Sequence, residues 1–130
     1  MNPTILVVDD SPTVIKFLSY SLKSKGYRVL AACDGMDALE KLSGLERGVD
    51  LIITDLDMPN LDGYRLIETI RQNEAYRNTP VIILTSELGD EDFRRGTAAG
   101  VSSYLVKPFK SSLLLSEVAK YLEKSISPVN

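Results

Sequence analysis

At 130 residues, 44% of them hydrophobic and 25% charged, the chain has the size and composition of one folded domain with a single core. A net charge of −3 and a pI near 5.0 argue against direct nucleic-acid binding, which gathers Lys and Arg on one face. The sequence contains no histidine, which excludes His general bases, Cys/His zinc sites and Ser-His-Asp triads within the chain. Any chemistry must use carboxylates, hydroxyls and lysines, or a histidine lent by a partner. Met1 is followed by no charged and apolar leader, and no apolar run approaches the roughly 18 residues of a membrane span, so the expected compartment is the cytoplasm.

The first element is TILVV from Thr4, a strand-like run that ends on Asp9 and Asp10. Ser11-Pro12 then opens a helix, with Val14, Leu18 and Leu22 on one face and Gly26 closing it. RVLAA from Arg28 reads as a second strand, and the lone cysteine, Cys33, is expected within the same strand-like run, RVLAAC, as a small buried hydrophobe. A helix from Met36 to Leu42 ends near Gly44. LIIT from Leu51 is the third strand and runs into Asp55 and Asp57, with Asp62 placed to cap a helix from Gly63 to Arg71. VIIL from Val81 precedes Thr85 and Ser86; a helix from Glu91 to Ala99 follows, closed by Gly100. SYLV from Ser103 leads to Lys107-Pro108, and a last helix is expected from Ser112 to Lys124.

Strand then helix, five times over, implies a doubly wound α/β fold: a five-stranded parallel sheet with helices on both faces and right-handed crossovers. The strand order 2-1-3-4-5 is carried over from flavodoxin-like folds, to which it is common, and is not read from the residues. The domain is expected to occupy residues 1–124, with 125–130, SISPVN, as a tail or the start of a linker.

In a parallel sheet Asp9, Asp10, Asp55, Thr85, Ser86 and Lys107 all fall at one end, at the crevice where strand order reverses. Taken singly, each has a plain explanation: Asp10 as a helix cap, Thr85 as a β-branched strand residue, Lys107 as a surface lysine. Their coincidence at four strand ends argues for a site. Three carboxylates held together repel one another, and a hard divalent cation relieves this. Mg²⁺, or Mn²⁺ in its place, suits a site of carboxylates and waters that shares phosphate oxygens. A phosphoryl group could then be held by Lys107 and hydrogen-bonded by Thr85 while Asp55 supplies the attacking oxygen.

Read together, ILVVDDSPT, IITDLDMPNLDG, VIILTSE and SYLVKPF resemble the receiver domains of two-component response regulators from Ile5 to Leu122. The resemblance implies that Asp55 accepts phosphate from the phosphohistidine of a sensor kinase or phosphotransfer protein. It implies Mg²⁺ held by Asp10 directly, by Asp9 through water, by Asp55, and by the backbone carbonyl of Asp57, whose side chain faces the mouth of the site. Thr85 would be the switch hydroxyl, Tyr104 the aromatic that turns inward with it, and Lys107 the partner of the phosphoryl group, with a cis bond to Pro108. The surface of the fourth helix, fifth strand and fifth helix would bind an output protein. DDSPT and GVSSYLVKPF look most like chemotaxis-type and stand-alone receivers. Ser102 and Ser103 replace the acidic residues of DNA-binding regulators that dimerise through that surface, so a monomer or weak dimer is expected. Asp57 and Glu87 stand where the family tunes phosphoryl lifetime.

Three rivals keep the same residues. LIITDLDMP also fits the DxD motif of haloacid-dehalogenase-type phosphatases, with Asp55 and Asp57 as the catalytic pair, although Asp9 and Asp10 would go unused. A nucleotide or flavin binder needs a glycine- or hydroxyl-rich loop after the first strand, where this chain carries two carboxylates. A pseudo-receiver would keep the fold as a docking module without phosphorylation.

Overall fold

A computed structural model describes residues 2–58, 61–86 and 89–123. Five strands, β1 (Thr4–Val8), β2 (Arg28–Ala32), β3 (Leu51–Asp55), β4 (Val81–Thr85) and β5 (Ser103–Val106), alternate with five helices, α1 (Pro12–Lys23), α2 (Gly35–Ser43), α3 (Gly63–Arg71), α4 (Asp90–Ala99) and α5 (Ser111–Leu122). All strand pairs are parallel, in the expected order β2-β1-β3-β4-β5. A short 3-10 turn, Glu74–Tyr76, was not anticipated. The expected end of α5 at Lys124, the tail 125–130 and Glu87 lie outside the described residues.

The sheet is greasy on both sides because helices cover both sides. Ile5 and Val7 of β1 point with Ile53 and Leu84 toward Leu18 and Leu22 of α1 and Leu114 and Val118 of α5. Leu6 and Val8 point the other way, with Ile52 and Ile83, toward Leu42 of α2 and Leu66, Ile67 and Ile70 of α3. Strands β3 and β4 are buried at every position, which is why their sequences run apolar without alternation.

Local signals set the helix starts. Ser11 caps α1 by accepting from the Val14 N–H at 3.3 Å, so the capping role considered for Asp10 falls to its neighbour. Asp62 caps α3, accepting from Arg65 N–H at 2.9 Å, as expected. Asp34, which the sequence had not singled out, caps α2 through the Asp37 N–H at 2.7 Å.

Cys33 is exposed, not buried. The strand-like run reads one residue too far: β2 is the edge strand and ends at Ala32. The Cys33 N–H has already turned to the Asp37 carboxylate, at 3.0 Å. At the opposite end of the molecule the Arg71 guanidinium donates to three carbonyls, those of Tyr76 (2.9 Å), Thr79 (2.6 Å) and Gly100 (2.9 Å), tying the end of α3 to the turn that follows α4.

A carboxylate cluster at the carboxyl ends of the strands

Neighbouring strands β1 and β3 run in register, Val8 beside Thr54, so the residues that follow each come out side by side. Asp55 is the last residue of β3 and Asp9 the first after β1; they are 8% and 2% exposed. Asp10 is exposed, yet the three carboxylates each place an oxygen within 4.8 Å of the others. Backbone donors orient two of them: the Leu56 N–H lies 3.0 Å from Asp55 Oδ1, and the Ser11 N–H 2.9 Å from Asp9 Oδ1.

Lys107 supplies the opposing charge. Its backbone N–H donates to the Thr85 carbonyl at 2.7 Å, extending the β4–β5 pairing by one residue. Its Nζ then lies 3.3 Å from Asp55 Oδ1 and 3.4 Å from Asp9 Oδ2. The Lys107-Pro108 bond is cis, as the resemblance implied. Burial and the charge of Asp9 push the Asp55 carboxyl above its ordinary range, and Lys107 only partly offsets them. For Lys107 burial works against the ammonium, but Asp55 and Asp9 outweigh it and raise its pKa. One ammonium facing three carboxylates leaves the pocket short of positive charge. Clustered hard oxygen donors of this kind fit a small divalent cation.

Asp57 is exposed and its carboxylate is not a member of the cluster. The pair that a DxD phosphatase would use is therefore not the set of carboxylates that gathers. Glycine shapes the floor: a Cβ on Gly63 would lie 2.7 Å from the Asp55 carbonyl oxygen, so only glycine lets α3 start this close to the end of β3. The Gly63 N–H donates to the Leu56 carbonyl at 2.9 Å, closing the loop.

Thr85 is 3% exposed at the end of β4. Beside it an open cleft of about 370 Å³ runs between Leu56, Asp57, Thr85, Ser86, Gly89 and Asp92, from the carboxyl ends of β3 and β4 to the first turn of α4. Tyr104 is half-buried and packs inward against the core that contains Ile83 and Tyr64. Its hydroxyl lies 3.2 Å from the Asp92 carbonyl. Sequence reasoning had not found Tyr64, whose hydroxyl donates to that same carbonyl at 2.6 Å. Three residues from three elements meet there, and no spacing in the sequence signals it.

Fold and site together define a class: a doubly wound α/β domain with an acidic, lysine-containing crevice at its topological switch point. The response regulator receiver domain family matches residues 5–119. Protein PilG of Pseudomonas aeruginosa is 37% identical over 126 residues, covering 97% of this chain and 91% of that protein. Two other curated relatives are far longer, and the chain spans 27% and 9% of them. Among solved structures, chemotaxis response regulator CheY4 of Vibrio cholerae superposes with a TM-score of 0.89 at 34% identity, over 94% of this chain and 100% of that one. The receiver domain of the sensor histidine kinase PA1611 from P. aeruginosa, with a magnesium ion coordinated in its active-site cleft, gives a TM-score of 0.85 at 33% identity, over 95% and 100%. The chain belongs to the response regulator receiver domain family. Among the described residues no helix is long and apolar enough to cross a membrane.

Proposed function

We propose that the chain is a Mg²⁺-dependent phosphoacceptor switch, with residues 1–124 as the receiver and Asp55 as the acceptor. The observation that carries this reading is the Lys107 ammonium lying 3.3 Å from Asp55 and 3.4 Å from Asp9, inside a cluster of three carboxylates. A sensor histidine kinase or phosphotransfer protein supplies the missing histidine. The Asp55 oxygen bonds to phosphorus as the P–N bond of the donor breaks, and the electron pair returns to the imidazole. Asp9, Asp10, Asp55 and the Asp57 carbonyl hold the Mg²⁺, for which Mn²⁺ can substitute; when bound it neutralises charge on the phosphoryl oxygens. Lys107 pairs with one of those oxygens and Thr85 donates to another. Phosphotransfer needs little more than such positioning and charge.

The domain is thus a signalling element that catalyses its own phosphorylation and dephosphorylation, rather than an enzyme acting on a separate substrate. Thr85 moves toward the phosphoryl group, Tyr104, already turned inward here, takes up the space it leaves, and the α4-β5-α5 surface gains or loses an output protein. Likeness to CheY4 favours a chemotaxis-type receiver; the net charge of −3 favours one without direct nucleic-acid contact, Ser102 and Ser103 favour a monomer or weak dimer, and we place it in the cytoplasm, away from the membrane. Incubation with acetyl phosphate and Mg²⁺ should add one phosphoryl group, detected by intact mass. Asp55→Asn, or chelation of the Mg²⁺, should abolish the increment; full labelling of that variant would sink the assignment.

A further inference from the structure

Helix α4 has one interior glycine, Gly96, on its buried side. Glycine inside a helix is destabilising relative to alanine, so its presence there asks for a reason, and the neighbouring ring gives one. A Cβ on Gly96 would overlap the Tyr104 hydroxyl and lie 2.7 Å from its Cζ. The missing side chain is a notch, and through it Tyr104 reaches the carbonyl of Asp92, one turn back along the helix.

Tyr64 reaches the same carbonyl from α3. It is 2% exposed, and the Arg95 guanidinium of α4 lies 4.8 Å from its ring centre, with Asp62 3.9 Å from the same guanidinium. Each tyrosine belongs to an element that also bears on the acceptor. Tyr64 directly follows Gly63, packed on the Asp55 carbonyl; Tyr104 lies on β5, the strand that leads to Lys107. The clasp therefore joins the first turn of α4 to both sides of the site, at the far end of the cleft that begins at Thr85.

We propose that Gly96 is a positioning residue of the switch: its notch admits Tyr104 to the Asp92 carbonyl beside Tyr64, and this inward docking is the state that the phosphorylated site favours. The direction of the effect rests on the phosphoacceptor reading above; the docking itself does not. Both hydroxyls donate to one carbonyl and lie against each other, so filling the notch removes the Tyr104 side of the clasp while Tyr64 keeps its own bond to Asp92.

The test uses the full chain with Gly96→Ala, Tyr104→Ala and the double variant, each titrated with beryllofluoride in the presence of Mg²⁺ and followed by backbone amide shifts. Gly96→Ala should weaken beryllofluoride binding at least about fivefold, the lower end of ordinary coupling between sites. In the Tyr104→Ala background the same substitution should change it less than twofold, because no ring is left to displace. An unchanged affinity in Gly96→Ala, or an equal loss in both backgrounds, overturns the proposal. Urea denaturation of the four proteins without ligand reads the docking separately: Gly96→Ala should be more favourable for stability once Tyr104 is gone, and purely additive effects overturn the contact. A wild type that ignores beryllofluoride would defeat the phosphoacceptor reading and with it the proposed bias, while the denaturation cycle still decides the docking. Should Gly96→Ala fail to fold, recovery of folding in the double variant supports the clash, and no recovery overturns it.

Discussion

Helices α3 and α4 pack on the same face of the sheet and are almost equal in length, nine and ten residues, yet they are held in opposite ways. Helix α3 buries Tyr64, Leu66, Ile67 and Ile70. At about 1.5–3 kcal/mol for each fully buried aliphatic side chain, an upper bound, its attachment is hydrophobic and non-directional. Helix α4 buries Gly96 and Ala99 among its described residues, leaves Phe93 53% exposed, and is held at its first turn by two tyrosine hydroxyls worth about 0.5–1.5 kcal/mol each. Strand β3, which carries Asp55, thus rests against a fixed helix, while the exposed surface beyond it rests on a helix whose tyrosine contacts together are worth no more than the 1–3 kcal/mol typical of allosteric coupling.

The largest expected contrast comes from truncating the fixed helix. Ile67→Ala should cost roughly 2–5 kcal/mol in urea denaturation, the usual range for a fully buried aliphatic; a loss below 1 kcal/mol would break the distinction. Tyr64→Phe should cost about 1 kcal/mol near neutral pH, since it removes one hydroxyl donor and little volume. That difference depends on pH with a definite sign. Burial, helped by Tyr104, holds the Tyr64 phenol well above its ordinary value, so its contribution is fully present below the unfolded value of about 10 and lost as pH rises through the raised one. Denaturation of wild type and variant from pH 8 to 11 should therefore show the gap closing, and a gap that widens would be the wrong sign. The smallest effect belongs to Phe93→Ala, expected within about 0.5 kcal/mol of wild-type stability because the ring is largely in solvent. Its consequence should appear instead in binding of the output protein.

The strands and the acidic crevice were legible because both are written in residue type. Runs such as VIIL are apolar throughout because the sheet is covered on both sides, and Asp9, Asp55 and Lys107 needed a parallel sheet with β1 beside β3, an order borrowed from the fold class, to be brought together. Edges were read less well. Cys33 follows an apolar run, but the run belongs to an edge strand that has already ended, and Asp34 was overlooked as a cap because Cys33 was read as its continuation. The meeting of Tyr64, Tyr104 and Gly96 at Asp92 was not legible at all. Its acceptor is a backbone carbonyl, which every residue has, and its essential side chain is the one glycine lacks. The polar composition of DEDFRRGTAA accords with the shallow seating of α4, but does not say what seats it.

Arg71 gives α4 its second end. With the Gly100 carbonyl fixed at 2.9 Å and the opposite terminus resting on two phenols, the helix resembles a latch pinned at one corner. Ten residues at about 1.5 Å each make an arm of roughly 15 Å, so a tilt too slight to disturb the pin would be largest at the end held by the two phenols. Phe93 sits there, and an aromatic ring carried through a few ångströms is a mark that a neighbouring protein can read by touch.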